Sequence, residues 1–165
     1  MSNIFFTSDL HLGHNRILKF GQRNHDNIEE MHEAIIKDWN ETVRKRDMVW
    51  ILGDIAFSLE SLSLLDRMNG AKRCILGNHD VFDYTEYQKY FEKVHWFQKK
   101  YNLVMTHIPI HPGELEFRHW TYNIHGHVHD PKKGPIDDPR YINVNIDATG
   151  TYKPIPLDEI RKKMK

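Results

Sequence analysis

Hydrophobic positions along the chain follow two rhythms. Short apolar runs rich in β-branched and aromatic residues, bounded by Gly, Asp, Asn or His, predict strands at about 3–8, 48–52, 72–76, 94–98, 101–106, 121–125 and 141–146. The stretch Tyr141-Ile142-Asn143-Val144-Asn145-Ile146 alternates cleanly, as a half-buried strand does. The second rhythm steps by three and four. Ile28, Met31, Ile35, Trp39 and Val43 make one apolar face of a helix at about 27–45. Asp26 or Asn27 can cap it, and Glu29 and Glu30 suit the positive end of its dipole. Further helices are expected at about 59–68, stopped by Asn69-Gly70, at about 84–92, and from Leu157 after Pro156. Strands alternate with helices early and cluster later, which predicts a mixed α/β domain with sheet inside and helices outside. One domain over residues 1–165 is the simplest division. Residues 130–140, with three prolines and Gly134, read as a loop.

Charge adds little direction. Lys+Arg and Asp+Glu are equal at 23 each, so no global field draws in polyanions. No apolar run approaches the roughly 20 residues that span a bilayer. Ile4-Phe5-Phe6 is too short for a signal-peptide core, so the default expectation is a cytoplasmic protein with no membrane partner. The lone cysteine, Cys74, lies in a strand-like run and reads as a small buried hydrophobe. Histidine is the outlier: 12 residues in 165, crowded towards the segment from His79 to His129. Such clustering points to metal or acid–base chemistry.

Five motifs organise that chemistry: Asp9-Leu10-His11, Gly53-Asp54, Gly77-Asn78-His79-Asp80, Thr106-His107 and Gly126-His127-Val128-His129. The first four directly follow strand-like runs. Open α/β sheets bind ligands at the carboxyl ends of their strands, so neighbouring strands would bring all five to one edge. Two carboxylates, one amide and four imidazoles exceed the needs of one ion and suit two divalent ions sharing a carboxylate. Mixed nitrogen and oxygen donors suit Mn, Fe or Zn better than Ca or Mg.

In their order and residue types these motifs resemble the calcineurin-like metallophosphoesterase superfamily, over residues 1 to about 150, and look like a small uncapped bacterial or phage member. The resemblance implies a four-layer α/β/β/α sandwich, two mixed sheets flanked by helices. It implies that Asp9, His11, Asp54 and His129 hold one metal and Asp54, Asn78, His107 and His127 the other, with Asp54 bridging. The family works with manganese, and also with iron, zinc, nickel or cobalt. It further implies hydrolysis of phosphate esters by a hydroxide held between the metals, with His79 stabilising charge or protonating the leaving oxygen and Asp80 orienting His79. An open site without a lid favours phosphodiesters.

Other positions keep two readings. His14 and Arg16 either touch substrate phosphate or pack the loop after the first strand. His125 is read as packing, and His25, His32 and His95 as surface or interface residues. The segment 108–120 either walls the pocket, through His111, Arg118 or Trp120, or makes a dimer contact through Phe117 and Trp120. Lys99-Lys100, Lys132-Lys133 and the basic tail could form a local groove for nucleic acid. The rival functions are therefore a nuclease or cyclic- or dinucleotide hydrolase, and a non-catalytic scaffold on the same fold.

Overall fold

Alternation along neighbouring strands sets the layers. In the computed structural model, which describes residues 2–20, 23–117, 120–130, 132 and 138–164, β1 (Ile4–Thr7), β2 (Met48–Leu52) and β3 (Ala71–Ile75) lie side by side in parallel. Successive side chains point to opposite faces of a sheet. Phe5, Val49, Ile51 and Cys74 enter a core shared with the helices, while Phe6, Trp50, Leu52 and Ile75 enter a second core. That second core also receives Leu103, Met105, Ile124 and Ile142 from another sheet. The two sheets therefore stack face to face.

The first sheet runs β4-β3-β2-β1-β9, where β4 is Lys93–His95 and β9 is Ile155–Pro156, the only antiparallel member. The second runs β5-β6-β7-β8: Gln98–Lys100, Leu103–Met105, Tyr122–His125 and Tyr141–Asn143. Only β5 is antiparallel there. Both sheets are mixed and flanked by helices, as expected. The layer on the first sheet is built by α2 (Ile28–Thr42), α3 (Leu59–Ser63) and α4 (Tyr84–Gln88), whose residues Ile35, Trp39, Leu62 and Tyr87 join the helix-side core. Asn27 caps α2 by accepting from Glu30 N at 2.8 Å, as the sequence pattern predicts. No helix among the described residues is long and apolar enough to cross a membrane.

Several expected boundaries move, each for a local reason. The predicted strand 94–98 divides: β4 belongs to the first sheet and β5 to the second, with Trp96 and Phe97 crossing between them. The strand predicted from 101 starts at Leu103, because Tyr101 and Asn102 (φ 58° and 64°) form the two-residue hairpin turn. The predicted strand 141–146 stops at Asn143. Asn145 then accepts from Asp147 N at 2.8 Å and opens the short helix α6 (Ile146–Thr149). The predicted helix 59–68 becomes α3 and a tight 3-10 turn, Leu64–Arg67, and the one predicted at 84–92 ends at Gln88. Three short helices among the described residues lie outside the expected ones: α1 (Ile17–Phe20), α5 (Pro112–Phe117) and α6. The C-terminal helix α7 (Leu157–Lys163) forms as predicted and seats Leu157 and Ile160 in the core between the sheets. Arg118 and His119 of the segment 108–120, and Pro131, Lys133, Gly134 and Pro135 of the loop 130–140, lie outside the described residues.

Register carries the functional consequence. Thr7 pairs with Ile51, Leu52 with Ile75, and Ile75 with His95, so the carboxyl ends of four parallel strands align. In the second sheet Met105 pairs with Ile124 and His125 with Asn143. A bridge between Ser8 and Asn145 ties the two sheets together at this edge.

Candidate metal centre

The strand ends deliver all seven predicted ligands to one place. Asp9, His11 and His129 form one group, and Asp54, His107 and His127 a second; within each, donor atoms lie within 4.8 Å of one another. Asn78 joins the second group, its Oδ1 being 3.1 Å from His107 Nε2. One atom links the groups: Asp54 Oδ2 lies 3.5 Å from His11 Nε2 and 3.3 Å from His107 Nε2. The backbone is bent to make this convergence. Asp9, His11, Asp54 and His127 have φ of 60°, 50°, 53° and 64°, a left-handed conformation that side chains rarely adopt. Four of the six such non-glycine residues among those described are thus predicted ligands, and strain of this kind gathers at functional sites.

Close approach explains two glycines. A Cβ at Gly77 would stand 2.6 Å from Asp54 N, and one at Gly126 would stand 2.7 Å from Ser8 Cβ. Neither turn accommodates a side chain.

Each carboxylate divides its oxygens between the protein and the centre. Asp9 Oδ2 accepts from Ser8 Oγ at 2.5 Å and from His127 N at 3.0 Å. Asp9 Oδ1 is buried with no hydrogen-bond partner, and so is His11 Nε2, which stands 3.7 Å from it. Asp54 Oδ1 accepts from His79 N at 3.0 Å, leaving Oδ2 to face the histidines. Buried polar atoms normally find partners. Two orphaned donors aimed at the same space fit a cation that accepts both lone pairs.

The histidine tautomers agree. His107 Nδ1 is 2.7 Å from Leu52 O, a carbonyl that can only accept, so Nδ1 carries a proton. Its Nε2 nonetheless faces two acceptors, Asp54 Oδ2 and Asn78 Oδ1. His129 repeats the pattern: Nδ1 is 2.5 Å from Asp147 Oδ2, and Nε2 is 3.4 Å from Asp9 Oδ1. Without metal, a second proton satisfies these nitrogens. Burial opposes it, but the hydrogen bond to Asp147 and the Asp9 carboxylate facing the ring prevail and push His129 up to about 9. His107 is raised for the same reason, its burial being outweighed by Asp54 and Asp9. Burial also opposes ionisation of Asp9, yet the His11 and His129 rings that face it hold it well below the carboxylate range. A divalent ion replaces such protons directly. The donor set therefore fits divalent metal ions.

Two residues that sequence reasoning passed over hold this geometry. Arg23 is buried, donates to Asp147 through Nε at 2.8 Å and Nη2 at 3.2 Å, and also grips Leu10 O at 2.8 Å and Asp9 O at 2.5 Å. Asp147 thereby connects Arg23 to His129, fixing the ring that faces Asp9. Nothing in the spacing around Arg23 signals this, since 124 residues separate it from Asp147. Phe57 is the third omission. Its ring stacks on His14 with centroids 4.1 Å apart, and lies 5.2 Å from both His11 and His79.

Asp80 is bound to the backbone around the ligands. Both its oxygens are committed to backbone: Oδ2 accepts from Gly77 N at 2.7 Å and Asp54 N at 2.8 Å, and Oδ1 from Ile55 N at 2.9 Å. It thereby clamps the Asp54 turn. His79 is exposed beside the two ligand groups, 6.0 Å from the His11 ring. His14 Nδ1 sits 3.2 Å from His11 Nδ1, and Arg16 is exposed with no side-chain hydrogen bond or ion pair among the described residues. His125 is buried against Tyr141, as the packing reading requires. His25 bonds Tyr152 Oη at 2.9 Å, His32 accepts from Gly13 N at 2.8 Å, and His95 stacks on Trp50, so each is half-buried with a partner.

Two stacked mixed sheets whose strand ends converge on two Asp/His groups define an α/β protein with a candidate metal centre. The comparisons name it: the model of the calcineurin-like phosphoesterase superfamily domain matches residues 3–145, and the chain belongs to that superfamily. An uncharacterized protein of Methanocaldococcus jannaschii is 34% identical, over 98% of this chain and 91% of its own length. The gene 66 protein of Mycobacterium phage D29 is 32% identical, over 98% of this chain and 96% of its own. A solved protein of unknown function from Aquifex aeolicus has the same fold, with a TM-score of 0.81 at 24% identity, covering 98% and 99% of the two chains. The phage relative and the Aquifex structure fit a small bacterial or phage type of member, while the family supports hydrolysis of phosphate esters and the two ligand groups suggest divalent metal ions.

Proposed function

We propose that the protein is a phosphoesterase using two divalent ions, with phosphodiesters preferred, manganese the working metal and the cytoplasm its location. The observation that carries this reading is Asp54 Oδ2, set between His11 Nε2 and His107 Nε2 with one ligand group on each side. Asp9, His11 and His129 would hold one ion, Asn78, His107 and His127 the other, and Asp54 both. Bound there, the ions supply Lewis acidity that polarises a phosphoryl oxygen and lowers the pKa of water.

The remaining roles fall to the chain. His79 is the general acid: it is exposed beside the centre, outside both ligand groups, and anchored by its amide on Asp54 Oδ1. Phe57 holds the His14 and His79 rings on its surface. For His11 Nε2 to ligate, its proton sits on Nδ1 and is donated to His14 Nδ1. His14 then carries its own proton on Nε2, a donor suited to a phosphate oxygen. The diester preference is read from the exposure of His79 and His127 at the centre. The protein loaded with manganese should cleave bis(para-nitrophenyl) phosphate faster than para-nitrophenyl phosphate. Faster monoester cleavage would reverse the preference, and no cleavage of either would remove the esterase reading.

A further inference from the structure

We propose that a groove at the carboxyl end of β4 seats an aromatic ring carried by the phosphate ester. The proposal rests on the phosphoesterase reading. Four parallel strands end in register, and the first three are followed by the predicted ligands Asp9, Asp54 and Asn78. The fourth, β4, is followed by Trp96, whose indole is 68% exposed. Trp96, Val81, Phe82, Tyr84 and Asn78 line a groove of about 500 Å³. Asn78 belongs to both places, since its Oδ1 is 3.1 Å from His107 Nε2. The groove therefore adjoins the metal centre through Asn78.

Its chemistry selects the occupant. Val81 is 78% exposed and Tyr84 50% exposed, so together with Trp96 they form an apolar surface that nothing in the chain covers among the described residues. The surface is held in place: Tyr84 Oη donates to Val94 O at 3.3 Å, and Phe82 packs on the fully buried Tyr87. Asp80 is the one charged lining residue among the described residues, and three backbone amides already occupy it. Without a free charge or a cationic side chain in its lining, the groove offers nothing to a second phosphate. A flat indole beside a phosphoryl site suits a planar ring, either a nucleobase or a simple aryl group.

The test compares wild type, Trp96→Ala and Tyr84→Ala, each as the full chain loaded with manganese. Calorimetry gives the affinities of phenylphosphonate and methylphosphonate without turnover. Phenylphosphonate should bind wild type about tenfold more tightly, the scale of a single aromatic stack. Trp96→Ala should lose most of that advantage while methylphosphonate binding stays unchanged, which also reports an intact fold. Turnover of bis(para-nitrophenyl) phosphate and thymidine para-nitrophenyl phosphate separates the two ring sources by which KM rises in Trp96→Ala. Equal affinities in wild type, or an advantage kept by both variants, overturns the groove. Absence of hydrolysis with the phenyl advantage retained removes the esterase reading and leaves the groove standing.

Discussion

Asp147→Asn changes no volume and tests how a buried anion outside the ligand set controls metal binding. In the wild type Asp147 receives three donors: Arg23 Nε on Oδ1 at 2.8 Å, and Arg23 Nη2 and His129 Nδ1 on Oδ2 at 3.2 Å and 2.5 Å. The Arg23 and Asp147 side chains are 1% and 3% exposed. An amide keeps one oxygen. With that oxygen on Arg23, its NH₂ faces His129 Nδ1, and a donor there forces the ring to keep its proton on Nε2. Nε2 is the nitrogen facing Asp9 Oδ1 at 3.4 Å, so a proton there blocks ligation. Loss of such a supporting partner lowers metal affinity about 10–100-fold, or about 1.4–2.8 kcal/mol. Stability falls as well. Breaking a buried ion pair costs about 3–5 kcal/mol. Arg23 retains the carbonyls of Leu10 and Asp9, which places the loss near the lower end. At about 2–4 °C per kcal/mol for a chain of this size, a loss of about 3 kcal/mol lowers Tm by about 6–12 °C. Thermal melts of the metal-free protein and manganese titration against a competing chelator measure the two effects. A lowered Tm with unchanged manganese affinity would refute the tautomer argument and leave Asp147 a purely structural anion.

Other outcomes follow from the same geometry. His79→Ala should lose kcat and keep both metals; loss of metal, read by elemental analysis, would make His79 a ligand. Asp80→Asn leaves one of three buried backbone donors facing an NH₂ group and should cost about 2–4 kcal/mol by denaturant unfolding. In the metal-free protein His129 binds its proton more tightly folded than unfolded, burial being overcome by Asp147 and Asp9. Its stabilisation is full below about 6.5 and is lost as pH rises to about 9. Melts across that window should decline without metal and flatten with manganese bound.

Much of the centre was legible because ligand motifs are local. Each pairs a strand-ending apolar run with a turn, and parallel register then aligns them at one edge. Boundaries failed where a side chain overrode the hydrophobic rhythm. Asn145 continues the alternation of β8 in sequence, yet its amide oxygen caps α6 instead. Trp96 and Phe97 look like strand residues but carry the chain from one sheet to the other. The supporting partners were invisible for a different reason. Arg23 reaches Asp147 across 124 residues, and Phe57 gathers histidines from three separate motifs. Such contacts exist only after folding. Asp80 is legible as a residue of the centre, but its three backbone donors are not, because a sequence does not show which nearby amides lack an acceptor.

The account turns on Asp54 serving two ions at once. Anomalous diffraction from crystals of the manganese-loaded protein tests this directly. The account predicts two peaks, one among Asp9, His11 and His129 and one among Asn78, His107 and His127, with Asp54 Oδ2 between them. A single peak, or two peaks of which only one touches Asp54, would contradict it.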